Sequence, residues 1–212
     1  MVGVGADLSP GTLVDAYSRG MFPWPHPEVP LPWFSPDPRG VLWFEQLHVS
    51  RSLRRTLRKS GWQTTVDHAF AQVIDGCASG RGEAGTWINP SMKRAYRRLH
   101  DLGWAHSIEV WEGTHLVGGL YGVQVGGVFT GESMFHRADD ASKVALVDLA
   151  ARFEAAGGRL VDVQLTTPHL ETMGAVDVPR RIFLELLETS RGHDVRMRTG
   201  PRPVDRLATA RG

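Results

Sequence analysis

Within a chain of 212 residues, the run Val161-Asp162-Val163-Gln164-Leu165 carries the most chemical potential. Strand alternation puts the three aliphatic side chains on one face and Asp162 and Gln164 on the other, about 7 Å apart along the strand. A carboxylate beside a primary amide can take a proton from an amine, hold an ammonium group or polarise a carbonyl. The same pattern also describes a solvent-facing strand edge, and alternation does not separate the two. A second run, Phe129-Thr130-Gly131-Glu132-Ser133-Met134-Phe135, sets a Glu between Gly and Ser and flanks it with Phe and Met. It reads as a carboxylate at the mouth of an apolar pocket, or as a strand-end turn over ordinary core. It is not a nucleophile elbow, which needs Gly-x-Ser-x-Gly.

Between His48 and Lys59 stand five cations, Arg51, Arg54, Arg55, Arg58 and Lys59, and no acid. On a helix, Arg51, Arg55 and Arg58 share one side, opposite Leu53 and Leu57, a geometry that suits a phosphate backbone. A solvated face is the bland alternative, but the absence of interspersed acids favours a polyanion. The chain has seven Trp against three Tyr, and several indoles stand beside Pro or Gly, where they can stack on bases or grip apolar ligands. No phosphate-binding Gly-x-x-x-x-Gly-Lys-Ser/Thr loop, dinucleotide fingerprint or His-Glu-x-x-His is present. The nine His are scattered and the single Cys, Cys77, ends a helical core stripe. The chemistry therefore calls for neither nucleotide hydrolysis nor a metal, and no cofactor is expected.

The elements that must hold these residues follow from capping and periodicity. Ser9-Pro10 opens a helix carrying Leu13, Val14 and Tyr17 and ending at Gly20. Seven prolines in the 16 residues from Pro23 to Pro38 exclude helix and central strand there, while Phe22, Trp24, Trp33 and Phe34 predict ordered loops. A strand is expected around 41–44 and the basic helix from Ser50. The next helix is capped near Asp67 and buries Ala69, Phe70, Val73, Ile74 and Cys77. A loop spans 80–85, and a third helix starts at Asn89-Pro90, with Met92, Ala95, Tyr96 and Leu99 inward, and stops at Gly103. From Ala105 the period becomes two, with strands through Val110, over 116–125 and over 127–130. A helix over 140–156, a strand over 159–165, a helix from Pro179 through Leu187 and a loose Arg-bearing tail after Gly192 complete the reading. Helices followed by antiparallel strands make this an α+β chain.

Length, 42% hydrophobic and 22% charged residues describe a chain that buries a core, as one domain with at most a small appendage. No run reaches the ~20 apolar residues of a membrane span. Met1–Pro10 has no basic residue and is not a secretory signal, so the expected compartment is the cytoplasm. A net charge of +1 points to no partner in bulk.

Taken in order, several blocks resemble the leucyl/phenylalanyl-tRNA–protein transferase family. They include Asp7-Leu8-Ser9-Pro10, Ser18-Arg19-Gly20-Met21-Phe22-Pro23-Trp24, Trp33-Phe34-Ser35-Pro36-Asp37-Pro38-Arg39, and His48-Val49-Ser50-Arg51-Ser52. Further along stand Gly85-Thr86-Trp87-Ile88, His106-Ser107-Ile108-Glu109-Val110-Trp111, Leu116-Val117-Gly118-Gly119-Leu120-Tyr121-Gly122, Gly131-Glu132-Ser133-Met134-Phe135, Asp162-Val163-Gln164 and Pro179-Arg180-Arg181. Each block alone is weak; their order and spacing are specific.

The resemblance implies a cytoplasmic enzyme, a monomer, that moves Leu or Phe (Met less well) from aminoacyl-tRNA to proteins with N-terminal Arg or Lys and so marks them for degradation. It implies a small N-terminal domain, placed here at 1–40, and a GNAT-like acyltransferase domain at 41–212 with a mostly antiparallel sheet. By the same resemblance Asp162 and Gln164 act on the reacting amine, and Trp24 and Trp87 hold the terminal adenosine. Leu120 (often Met in the family), Phe129, Gly131 and Met134 form the amino-acid pocket, with Glu132 at that pocket. Arg51, Arg55, Arg58 and Lys59 lie under the acceptor stem. Two other readings are a GNAT-type N-acetyltransferase using acetyl-CoA, whose pyrophosphate loop Gln124–Phe129 does not fit, and a non-catalytic tRNA-binding protein.

Overall fold

The computed structural model describes residues 1–26, 28–79 and 86–209, and its strands form two sheets. The expected loop over 80–85, Pro27 and Arg211 lie outside the described residues. In the small sheet, β1 (Gly3–Val4), β3 (Pro32–Phe34) and β2 (Phe22–Pro23) run antiparallel in that order. The first helix, α1 (Pro10–Ser18), has Pro at its first turn and Ser9 accepting from the Thr12 N–H, as the sequence predicts.

The large sheet has the order β10 (Val176–Val178), β4 (Arg39–Trp43), β9 (Leu160–Gln164), β8 (Val128–His136), β7 (His115–Val125), β6 (Ala105–Glu112), β5 (Gln63–Val66), β11 (Arg202–Pro203). All neighbours are antiparallel except β8 and β9, which are parallel. On one side lie α2 (Arg51–Lys59) and α5 (Ala141–Ala155), over a core that includes Leu53, Leu57, Leu146 and Phe153. On the other lie α1, α3 (Phe70–Ser79), α4 (Pro90–Asp101) and α7 (Arg180–Ser190), with Leu13, Ile74, Tyr96 and Phe183 buried together. The chain is thus α+β with a mostly antiparallel sheet, and the N-terminal segment contributes to the second core.

The parallel pair positions the site. Its register runs only from Val128–Leu160 to Thr130–Asp162, after which the two strands diverge and a wedge opens. A bulge in the β7–β8 ladder between Tyr121 and Gly122 coincides with the start of the wedge, where bulges commonly re-aim side chains.

Three expectations need correction. Among the described residues the tail after Gly192 is not loose: Val195 is buried, β11 pairs with β5, and Val204, Leu207 and Ala208 pack into the core. Buried Arg152 holds this segment by donating to the carbonyls of Arg198 and Gly200, and Arg54 of the basic helix donates to that of Ala208. Helix α3 is not capped by Asp67, which has φ of 62°. Its start is served by fully buried Glu109, which accepts from the Ala69 N–H and the Thr65 and Ser107 hydroxyls. The short helix α6 (Pro168–Thr172), absent from the sequence reading, follows β9 at the mouth of the wedge.

Candidate active site

The wedge between β8 and β9 holds a cavity of about 320 Å³. Leu120 from β7, Met134 from β8, Leu146 and Leu149 from α5, and Val161 and Val163 from β9 line it, so its wall is aliphatic and thioether. Gly131 leaves one side open: a Cβ built there meets nothing closer than the Asp162 carbonyl oxygen at 3.8 Å. At the rim stand Phe22, Trp24, Trp87, His169 and Leu170. Trp24 is 40% exposed and rests edge-on against Phe34, so indole surface is free to stack on a ligand.

The polar end is built from two side chains. Glu132 Oε1 accepts from Gln164 Nε2 at 3.2 Å and Oε2 accepts from the Tyr96 hydroxyl at 2.9 Å. Tyr96 and Tyr17 have their hydroxyls 2.5 Å apart. Burial, and next the Glu132 charge, pushes both tyrosines well above their ordinary range, so they stay protonated as donors. Burial also pushes the Glu132 carboxyl up to about 7, against the pull of its two tyrosine partners. The nearby Asp162 charge adds to the rise and Arg39 opposes it. A carboxylate with a pKa close to neutrality is suited to proton transfer at neutral pH.

Gln164 and Asp162 do not lie side by side. Gln164 has φ of 60° at an irregularity where β4 meets β9, and this turns its side chain into the wedge. Gly40 makes the turn possible, since a Cβ there would stand 2.8 Å from the Thr166 nitrogen. Leu165 falls beyond the strand and is exposed, so only Val161 and Val163 of the expected aliphatic face are buried in β9. Asp162 sits behind the wedge, fully buried. Its carboxylate accepts from Arg39 Nε and Nη2, both at 2.7 Å, from the Thr130 hydroxyl at 3.0 Å and from the Gln164 N–H at 3.0 Å. Arg39 also donates to the Gly20 carbonyl and faces the rings of Phe22 and Phe183.

Of the expected site residues, the structure brings Trp24, Trp87, Leu120, Gly131, Glu132, Met134 and Gln164 to one cavity. Phe129 is fully buried against Phe153 beneath it. Arg51, Arg55, Arg58 and Lys59 all lie exposed on α2, whereas Arg54 serves the fold. Sequence reasoning missed Arg39, Tyr17 and Tyr96 as parts of the site. The tyrosines were legible in principle, because an inward-facing Tyr needs a partner for its hydroxyl; Arg39 gave no such signal.

The family model described as leucyl/phenylalanyl-tRNA protein transferase matches residues 41–188, and that of the family's N-terminal domain matches 6–37. The chain belongs to the leucyl/phenylalanyl-tRNA–protein transferase family. A leucyl/phenylalanyl-tRNA–protein transferase of Klebsiella pneumoniae (strain 342) is 53% identical over 91% of this chain and 82% of its own. One from Shigella dysenteriae serotype 1 is 51% identical over 90% and 81%. Among solved structures, that of L-PGS from Bacillus licheniformis overlaps 74% of this chain and 51% of its own, with a TM-score of 0.44 and 10% identity. The protein is accordingly an aminoacyltransferase, with aminoacyl-tRNA and protein as substrate classes. Membership in the leucyl/phenylalanyl-tRNA–protein transferase family does not favour the acetyl-CoA or the non-catalytic RNA-binding reading. No helix among the described residues is long and apolar enough to cross a membrane.

Proposed function

We propose that this chain, as a cytoplasmic monomer with its parts divided near Gly40, transfers Leu or Phe from its tRNA to the α-amino group of proteins beginning with Arg or Lys. The observation that carries the reading is an aliphatic wedge with indoles at its mouth and a hydrogen-bonded Glu132–Gln164 pair at its polar end. The amino-acid side chain occupies the wedge, Trp24 and Trp87 hold the terminal adenosine, and Arg51, Arg55, Arg58 and Lys59 take the acceptor stem. Gln164 orients the incoming amine. The nitrogen attacks the ester carbonyl, the carbon–nitrogen bond forms and the bond to the ribose oxygen breaks. Glu132 takes the proton from nitrogen and returns it to the leaving ribose oxygen. The ester is already activated, so positioning and proton transfer suffice without ATP. Asp162 acts as a positioning residue, since its four donors fix the backbone that aims Gln164. A carboxylate at the polar end favours acceptors whose first residue is a cation.

The direct test is transfer of radiolabelled Leu from charged tRNA to an acceptor starting with Arg and to one starting with Ala, without ATP or added metal. Label on the Arg acceptor is expected; equal label on both, or none, contradicts the reading.

Gly131→Ala probes the pocket. Its Cβ makes only ordinary contacts, so the melting temperature is expected to stay within about 2 °C. The methyl narrows the wedge, and kcat/KM for the larger Phe donor should fall about tenfold relative to Leu. A parallel fall for both donors removes the wedge as the side-chain pocket.

A further inference from the structure

We propose that Lys143 binds the backbone phosphates of the donor RNA between the pocket and the basic helix. The inference rests on the function proposed above and adds contacts to it. Helix α5 acts as a ruler. Leu149 and Leu146 lie towards its middle, and Lys143 and the N-cap Asp140 lie at its start. Leu149 and Leu146 line the pocket, and Lys143 stands one turn, about 5 Å, farther along. Its Nζ donates to Asp140 Oδ1 at 2.8 Å, and Asp140 Oδ2 accepts from the Thr56 hydroxyl at 2.9 Å. Thr56 belongs to α2, between Arg55 and Arg58. The ammonium group is therefore tied through hydrogen bonds to the basic helix and stands about one helical turn from the pocket wall.

His169 stands at the pocket rim. Burial and then the charges of Lys143 and His136 hold its pKa down, against Asp140, which places all three cation-forming side chains in one local field. A merely structural role explains Lys143 poorly. Its side chain remains 33% exposed while paired with Asp140. It also lies in the first turn of α5, where the helix dipole disfavours a cation. Asp140 occupies one of the three ammonium hydrogens. The rest of the group is suited to an anion, and an RNA strand running from the wedge to α2 presents phosphodiesters at this place.

The test uses three donors with the full chain: leucyl-adenosine, which has no phosphate, the leucylated trinucleotide cytidyl-cytidyl-adenosine, and leucyl-tRNA. Lys143→Met is expected to lower kcat/KM about five- to tenfold for the trinucleotide and tRNA and to leave leucyl-adenosine unchanged. The logarithmic salt slope for the trinucleotide should shrink by about 0.7, the value for one single-strand phosphate contact. Lys143→Arg should restore both. Equal loss on all three donors, or no loss on any, overturns the proposal. Fluorescence anisotropy with the uncharged trinucleotide reads the same phosphate contact without chemistry. A parent protein that transfers from no donor thus defeats the functional reading alone, and a Lys143→Met variant with undiminished trinucleotide binding defeats this one.

Discussion

At pH 8, Glu132→Gln is expected to melt several degrees above the parent protein while transferring Leu on the order of a hundredfold more slowly. Both changes have one cause. Burial raises the Glu132 pKa from 4.5 to about 7, so the folded protein binds this proton more tightly than the unfolded chain. Its stabilising contribution is fully present below about 4.5, declines as pH rises through about 7, and is absent at pH 8. The gap corresponds to at most about 3 kcal/mol, and water at the open pocket reduces it. Glutamine never carries the charge, keeps an acceptor for Gln164 and can meet Tyr96 through its amide. At about 2–4 °C per kcal/mol, the variant gains stability at pH 8. At pH 4.5 the two melting temperatures should converge, because Glu132 is then neutral in the folded protein. A variant less stable than the parent at pH 8 shows that Glu132 supports the fold instead of straining it.

Arg39→Met is expected to cost about 3–5 kcal/mol, because it leaves the Asp162 carboxylate buried without its cation. The pair is fully buried on both sides and bidentate. Thermal melting would register the loss as a drop of about 10 °C. The double variant Arg39→Met/Asp162→Leu separates stability from positioning. Replacing both members of a buried ion pair by apolar groups is often close to neutral, so most of the lost stability should return. Activity should not return, since the Gln164 N–H loses the acceptor that holds its left-handed backbone. Transfer is expected to fall mainly in kcat, with donor KM little changed, because the apolar wedge and the indoles remain. Recovery of both stability and kcat would deny Asp162 its positioning role.

Much of this architecture was legible in the sequence. Ser9-Pro10, Asn89-Pro90 and the leucines of the basic run announced three helices through local capping and periodicity, and each formed as read. The chemistry was legible as residue types, with Glu132 and Gln164 singled out by their neighbours. Their arrangement was not legible, because it depends on long-range contacts. Nothing local says that Gln164 leaves strand alternation at φ of 60°, or that Arg39 reaches 123 residues along the chain to occupy Asp162. Regular alternation put Asp162 and Gln164 on one face; the bulge and Gly40 put Gln164 in the wedge and Asp162 behind it. The tail was misread for a related reason. Its arginines suggested a solvated end, but Val204 and Leu207 bury against α2 and α5 only once those helices are in place.

The central claim is that Glu132 receives the proton of the attacking amine. It is tested most directly by the single-turnover rate of Leu transfer between pH 5.5 and 8.5, with saturating leucyl-tRNA and a saturating acceptor beginning with Arg. Because the carboxylate is the active form, the parent rate should show a transition near 7 in addition to the rise set by deprotonation of the acceptor amine. In Glu132→Gln that transition should disappear, leaving a slow rate governed only by the acceptor amine, whose own pKa is about 7.7–8.0. The same transition near 7 persisting in the variant would contradict the account and place the proton acceptor elsewhere.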